Sequence, residues 1–178
     1  EESGAKLVLI TPPYYDDHRA KKGHSYDAVL DRYSQWLLSQ RHNGWSVVDL
    51  HQPMADEVAR RRKEDPDFTF QPDAVHPNTE GHWFMATQLI RWFGGGRAAE
   101  AVTPEEMLAA WKLPQEFFRL VRQRLEIRRD AYLTASGHKR PGVKAGESVA
   151  KAEQSAEQLT EQICQMLRAA QEARLQQR

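Results

Sequence analysis

The sequence predicts a parallel α/β fold that continues into a helical hairpin. "KLVLITP" at residues 6–12 and "WSVVDL" at 45–50 are short, β-rich apolar runs separated by a helix-length segment, the strand–helix–strand pattern of a parallel sheet. "GGG" at 94–96 then breaks the chain. Beyond it, Val149, Ala152, Ala156, Leu159, Ile163, Met166, Ala170 and Ala173 recur at alternating spacings of 3 and 4, a heptad seam with small residues. The expected division is an α/β part over residues 1–97 and a helical extension over 98–178.

Each element has a local cause. The first strand is a continuous apolar run ended by Pro12 and Pro13, as expected of a buried parallel strand. A polar loop, "YYDDHRAKKGH", follows. Ser25 is the expected cap of a helix running to about Arg41, with Asp27 in its first turn. Val29, Tyr33, Trp36 and Leu37 give that helix an apolar face, and "HNG" stops it. A helix from about Met54 to Lys63 follows the second strand. The loop "EDPDFTFQPD" leads to a helix capped by Asn78 and running to Phe93, with Trp83, Ala86, Ile90 and Phe93 as its expected buried stripe.

In the extension, "TPEE" reads as a capping box with Thr103 as cap and Pro104 at the first helical position. A helix over about 114–134 presents Phe118, Val121, Leu125 and Tyr132 on one face. "GHKRPG" at 137–142 breaks it, and the heptad seam forms the returning helix, whose last turns, "EARLQQR", are expected to fray. There is no internal repeat.

Composition narrows the function classes. The 178 residues carry 25 basic and 25 acidic side chains, formal net charge +0, which gives no electrostatic reason to expect nucleic acid as a partner. The dense basic run "RRRK", Arg60 to Lys63, is followed by Glu64 and Asp65 and reads as a solvated helix end. Cys164 is the only cysteine, which excludes an intrachain disulfide framework and reads as an inert surface thiol. No apolar run reaches the ~20 residues of a membrane span. The chain begins "EESGAK", without Met or a signal-like segment, and an upstream part is expected.

The chemistry concentrates in "QPDAVHPNTEGH", residues 71–82. An acid three residues before a histidine can turn both side chains to one spot. The histidine takes a proton from a weak nucleophile and returns it to a leaving group, and the carboxylate holds the imidazole tautomer. Asp73 and His76 are therefore the candidate catalytic pair, with Pro77 stiffening the exit and Asn78 fixing the turn at a helix start. Tyr14, Tyr15 and Asp16, after the first strand, either line a substrate cleft or are plain loop. Asp49 and His51 end the second strand, where pocket residues or structural hydrogen bonds are both expected. His18, His24, Asp49, His51 and His76 have no spacing that supports a metal site. Lys139 and Arg140 read as an exposed interhelical turn rather than an anion site.

"LVLITPP", "YDAVLDRYSQWL", "WSVVDLHQPM" and "FQPDAVHPNTEGHWFMA", in that order, resemble the C-terminal half of an SGNH (GDSL-type) hydrolase over about residues 5–93. The resemblance implies a flavodoxin-like three-layer α/β/α sandwich. It also implies an esterase or deacetylase acting on carboxylic esters, often acetyl esters of carbohydrates or lipids. Asp73 and His76 match that family's last motif. No cofactor is implied, and an exported bacterial-type protein is favoured. The family's Gly-Asp-Ser nucleophile motif, its oxyanion glycine and its Gly-x-Asn-Asp segment do not occur in these residues. Ser25, Ser34, Ser39, Ser46, Ser136, Ser148 and Ser155 lie at caps, in a strand, in helices or in the extension, and Ser3 at the terminus, so none is placed to serve His76. Two expectations follow. In one, a serine from a missing N-terminal half, in the same or another chain, completes an ester hydrolase. In the other, the chain is a non-catalytic hydrolase remnant that works through its hairpin.

Overall fold

The computed structural model describes residues 4, 6–21, 23, 25–139 and 144–176. Ser3, His24 and Arg140, named above, lie outside them, as do most of the "GHKRPG" turn beyond Lys139 and the last two residues of "EARLQQR". The chain divides into two compact units, Glu1–Thr103 and Pro104–Arg178.

The first unit is mixed α/β with a two-stranded parallel sheet. β1 (Val8–Ile10) pairs with β2 (Ser46–Val48), with Val8 opposite Ser46, Leu9 opposite Val47 and Ile10 opposite Val48. α1 (Asp27–Ser39) makes the crossover and tightens into a 3-10 turn, Gln40–Asn43, before Gly44 reverses the chain at φ 81°. α2 (His51–Arg61) and α3 (Thr79–Trp92) follow, then a short 3-10 segment, Gly96–Glu100. The core is Met54, Val58 and Phe70, with Tyr14, Phe68, Phe84 and Met85 packed around it.

Several expectations are corrected by tertiary contacts. Ser25 does not cap α1: its hydroxyl donates to Asp17 Oδ2 at 2.7 Å, and Asp17 Oδ1 accepts from the Tyr26 backbone at 2.9 Å. A loop carboxylate thus does the cap's work. α2 starts at His51, ahead of Met54, because the Leu50 and His51 amides find an acceptor in Thr11 Oγ1 at 2.8 and 3.1 Å. Asn78 does cap α3, accepting from the Gly81 amide at 2.8 Å. The stripe on α3 is rotated, however. Gly81 and Thr87 are buried and Phe84 packs on the core, whereas Phe93 is exposed. A side chain on Gly81 would meet Phe70 and Pro77, so this helix start lies close against the core. On α1 the expected apolar face is covered only in part: Val29 and Leu37 are partly buried, Tyr33 and Trp36 are exposed, and the fully buried residue is Ser34. The segment after the glycines is tied to α3, with Trp83 Nε1 donating to Ala101 O at 3.1 Å and Ala98 and Ala99 buried.

The two edges of the sheet differ. The outward carbonyl of Val47 in β2 accepts from Arg41 Nη2 at 2.8 Å and Nε at 3.2 Å, so a guanidinium plugs that edge. No such plug is seen on β1 among the described residues, and beside it Leu7 is 77% exposed.

The second unit is helical: α4 (Pro104–Trp111), α5 (Glu116–Ala135) and α6 (Val149–Leu175). Thr134 meets Gly146, Arg128 meets Glu153, and Arg124 meets Thr160, so partners rise on one side as they fall on the other. The pair is antiparallel. The α6 seam is buried as its spacing predicts, through Ala152, Ala156, Leu159, Ile163 and Ala170. Ser148 caps the helix, accepting from the Lys151 amide at 3.4 Å. The α5 face is the expected one only in part: Val121 packs on the seam as expected, but Leu125 and Tyr132 do not. Leu120 and Ala131 are buried, and Phe117, Val121 and Ile127 pack on the seam. Leu125 is 63% exposed, and Tyr132 is exposed as well. Cys164 is only partly exposed. Gly146 crosses so close to the α5 backbone at Asp130 and Ala131 that a Cβ there has no room. Among the described residues no helix is long and apolar enough to cross a membrane.

Candidate active site

The Asp73–His76 turn is built from its own backbone. Asp73 Oδ1 accepts from the amides of His76 at 2.7 Å and Val75 at 3.0 Å, and Asp73 Oδ2 meets His76 Nδ1 at 2.7 Å. These bonds, the His76 amide first and its ring second, hold the Asp73 carboxyl well below the usual carboxylate range. The pair faces solvent, with the His76 side chain 82% and the Asp73 side chain 59% exposed. Nε2 is the ring nitrogen that Asp73 does not engage. An ionised Asp73 at Nδ1 favours the tautomer with the proton there and the lone pair on Nε2, the form a general base needs.

Between them, Ala74 is buried with φ 75°, a left-handed conformation that disfavours a residue with a Cβ. Surrounding bonds hold it. Its amide donates to Gln71 O at 2.9 Å, and its carbonyl accepts from the Asp16 amide at 3.1 Å. Asn78 extends the support, its amide donating to Phe70 O at 2.7 Å and its Nδ2 to Thr69 O at 3.2 Å.

The other candidates lie around this turn or beneath it. Asp16 is not a cleft residue but a fully buried one: Oδ2 accepts from Arg62 Nη2 at 2.6 Å and Thr69 Oγ1 at 2.5 Å. Arg62, expected in a solvated run, is therefore half of an internal ion pair, and its Nε also donates to Phe68 O at 2.9 Å. Tyr14 packs on the core, and its carbonyl accepts from Gln71 Nε2. Burial, then the nearby Asp16 carboxylate, pushes the Tyr14 phenol up. Tyr15 stacks edge-on against Tyr26 at 5.9 Å, and its amide donates to Asp27 at 3.0 Å.

His51 is 2% exposed at the start of α2, with Nε2 3.8 Å from Asp27 and 4.0 Å from Asp31. Its Nδ1 is buried without a partner. Burial raises the Asp27 pKa. Asp49 accepts from Thr11 Oγ1 at 2.9 Å, a structural bond joining the two strand ends.

Among the described residues none of the serines reaches His76. Ser25, Ser34 and Ser39 donate to Asp17, Leu30 O and Trp36 O respectively. Among the same residues no group of three or more His, Cys, Asp or Glu side chains could hold a metal. Sequence reasoning misses Arg62, Thr69, Gln71 and Ala74, whose roles depend on contacts across dozens of residues. The one available signal is an acid in the loop that follows the first strand, on the carboxyl side where α/β sites form. Compared with models of protein families, with curated proteins and with solved structures, the chain matches none.

Proposed function

We propose that the α/β unit supplies the Asp–His part of an SGNH-like serine esterase or deacetylase, with the nucleophile outside these residues. The observation that carries the reading is the solvent-facing His76, held at Nδ1 by Asp73 on a turn pinned from below. In this reading further strands add beside the unplugged edge of β1, giving a flavodoxin-like sandwich, and bring a serine to Nε2. The serine attacks the acyl carbon as its proton passes to Nε2. His76 then gives that proton to the departing alcohol, and water reverses the sequence to free the acid. Asp73 orients the ring and stabilises its protonated form. Backbone donors on the added segment stabilise the oxyanion. The substrate class is a small-molecule or carbohydrate ester, with acetyl esters first.

A second reading is a non-catalytic interaction module, favoured by the exposed Leu125 and Tyr132 on α5. Acetyl-ester hydrolysis and phosphonate labelling of the product of the complete reading frame separate the two. The enzyme reading expects a labelled serine outside these 178 residues. It expects His76→Ala to lower the rate by roughly 10²- to 10⁴-fold with little change in melting, and Asp73→Asn to lower it less. Full activity in a folded His76→Ala protein removes the assignment.

A further inference from the structure

We propose that Asp16 is the positioning residue of the Asp73–His76 pair. A closed ring of hydrogen bonds begins and ends on it. Thr69 Oγ1 donates to Asp16 Oδ2 at 2.5 Å and accepts from the Gln71 amide at 2.9 Å. Gln71 O then accepts from the Ala74 amide at 2.9 Å, and Ala74 O accepts from the Asp16 amide at 3.1 Å. The carboxylate is fully buried, and its charge is met by Arg62 Nη2 at 2.6 Å, which is anchored in turn on Phe68 O. A second link, Gln71 Nε2 to Tyr14 O, runs beside the ring.

The ring acts on the residue that most needs it. Ala74 sits in the left-handed region, and only the surrounding bonds keep a residue with a Cβ there. Asp73 and His76 flank it. Relaxation of Ala74 to an ordinary conformation turns the two flanking segments relative to each other and separates the Asp73 carboxylate from the His76 ring. A buried ion pair is a poor source of net stability, because desolvation offsets its attraction. What it supplies here is a fixed geometry for an exposed pair that has no packing of its own. This inference rests on the proposed function only for the use to which the pair is put, and the ring itself is tested without any ester.

The test reads the His76 ring tautomer by ring nitrogen NMR on the intact chain at about pH 9, where an ordinary imidazole is neutral. The unmodified protein is expected to carry its proton mainly on Nδ1, facing Asp73. In Thr69→Val, which keeps shape and the Asp16–Arg62 pair but removes the hydroxyl, the proton moves mainly to Nε2. The Val75 and His76 amides there exchange on the order of tenfold faster while the melting curve holds. Asp16→Asn gives the same shift, and Arg60→Ala, at an exposed ion pair with Glu57, leaves the tautomer unchanged. Retention of the Nδ1 proton and of amide protection in folded Thr69→Val overturns the proposal, as does an Nε2 proton in the unmodified protein. Should Asp16→Asn fail to fold, Thr69→Val decides alone. A tautomer shift in a protein that hydrolyses no ester keeps the positioning role and removes the hydrolase. Unchanged tautomers beside a His76-dependent esterase do the reverse.

Discussion

The helical unit buries a seam between its two long helices and leaves Leu125 and Tyr132 exposed outside it, whereas the α/β unit leaves apolar residues exposed around its sheet. In the hairpin, Leu120, Leu159 and Ile163 lie in one buried cluster between antiparallel helices. In the α/β unit, Leu7, Ile10, Tyr33, Trp36 and Trp45 are exposed around a two-stranded sheet. The contrast follows from where each element finds its hydrogen bonds. A helix satisfies its backbone internally and needs only a side-chain seam. A strand needs a neighbour on each side, and a sheet of two parallel strands has two edges to settle. Arg41 settles one of them, on β2.

The largest effect expected from this contrast is in amide exchange. Amides along the α5–α6 seam should exchange at least about a hundredfold more slowly than those of Val8 to Ile10 in the chain alone. Equal protection in strands and seam would show that the sheet is complete as it stands and break the comparison.

Leu159→Asp comes next. Leu159 lies in the hairpin cluster, and a carboxylate there has no partner. The expected loss is roughly 3–5 kcal/mol, read as a lower melting temperature and reduced helicity. Unchanged helicity would mean that α6 does not depend on α5.

A smaller effect is expected at the start of α3. Asn78→Ala removes the acceptor for the Gly81 amide and the Nδ2 bond to Thr69 O. The cost is about 1 kcal/mol, measured by denaturant melting, and falls on the α/β unit. An equal shift in the hairpin's own melting would tie the two units into one cooperative block.

The smallest effect is a pH dependence confined to the Asp73 turn. The folded carboxyl lies below its ordinary range, mainly through the His76 amide. A depressed carboxyl stabilises the fold at pH values above its unfolded pKa of about 3.9 and loses that contribution as pH falls through the folded value. Amide protection at Val75 and His76 should therefore decline only at strongly acidic pH, and Asp73→Asn should remove that acid dependence. An acid decline that survives in Asp73→Asn would assign the turn's acid sensitivity to another group.

Much of this molecule is legible in its local pattern. The βαβ order, the Asn78 cap, the α6 seam and the Asp73-to-His76 spacing each depend on residues within a turn or two of one another, where sterics and hydrogen-bond reach are set by the chain itself. The faces of α3 and α5 are different. Their periodicity marks several apolar residues, but which of Phe117 or Phe118, and Phe84 or Phe93, turns inward depends on the position of the partner surface. A rotation of one residue about a helix exchanges Phe117 for Phe118, whereas Phe84 and Phe93, nine residues apart, point to opposite sides of the helical pattern.

The support beneath the candidate site was decided only by the tertiary structure. Asp16 and Arg62 lie 46 residues apart, and Asp16 and Thr69 lie 53 apart. Read along the chain, one is a loop acid, one a member of a basic run and one a loop threonine. Burial gives them their roles, because a carboxylate removed from water must find its donors wherever the fold brings them. The sequence by itself determined which residues could form an Asp–His turn. The packing of two distant loops decided that this turn is held in one geometry, since Ala74 keeps its left-handed backbone only while Gln71 and Asp16 bond to it.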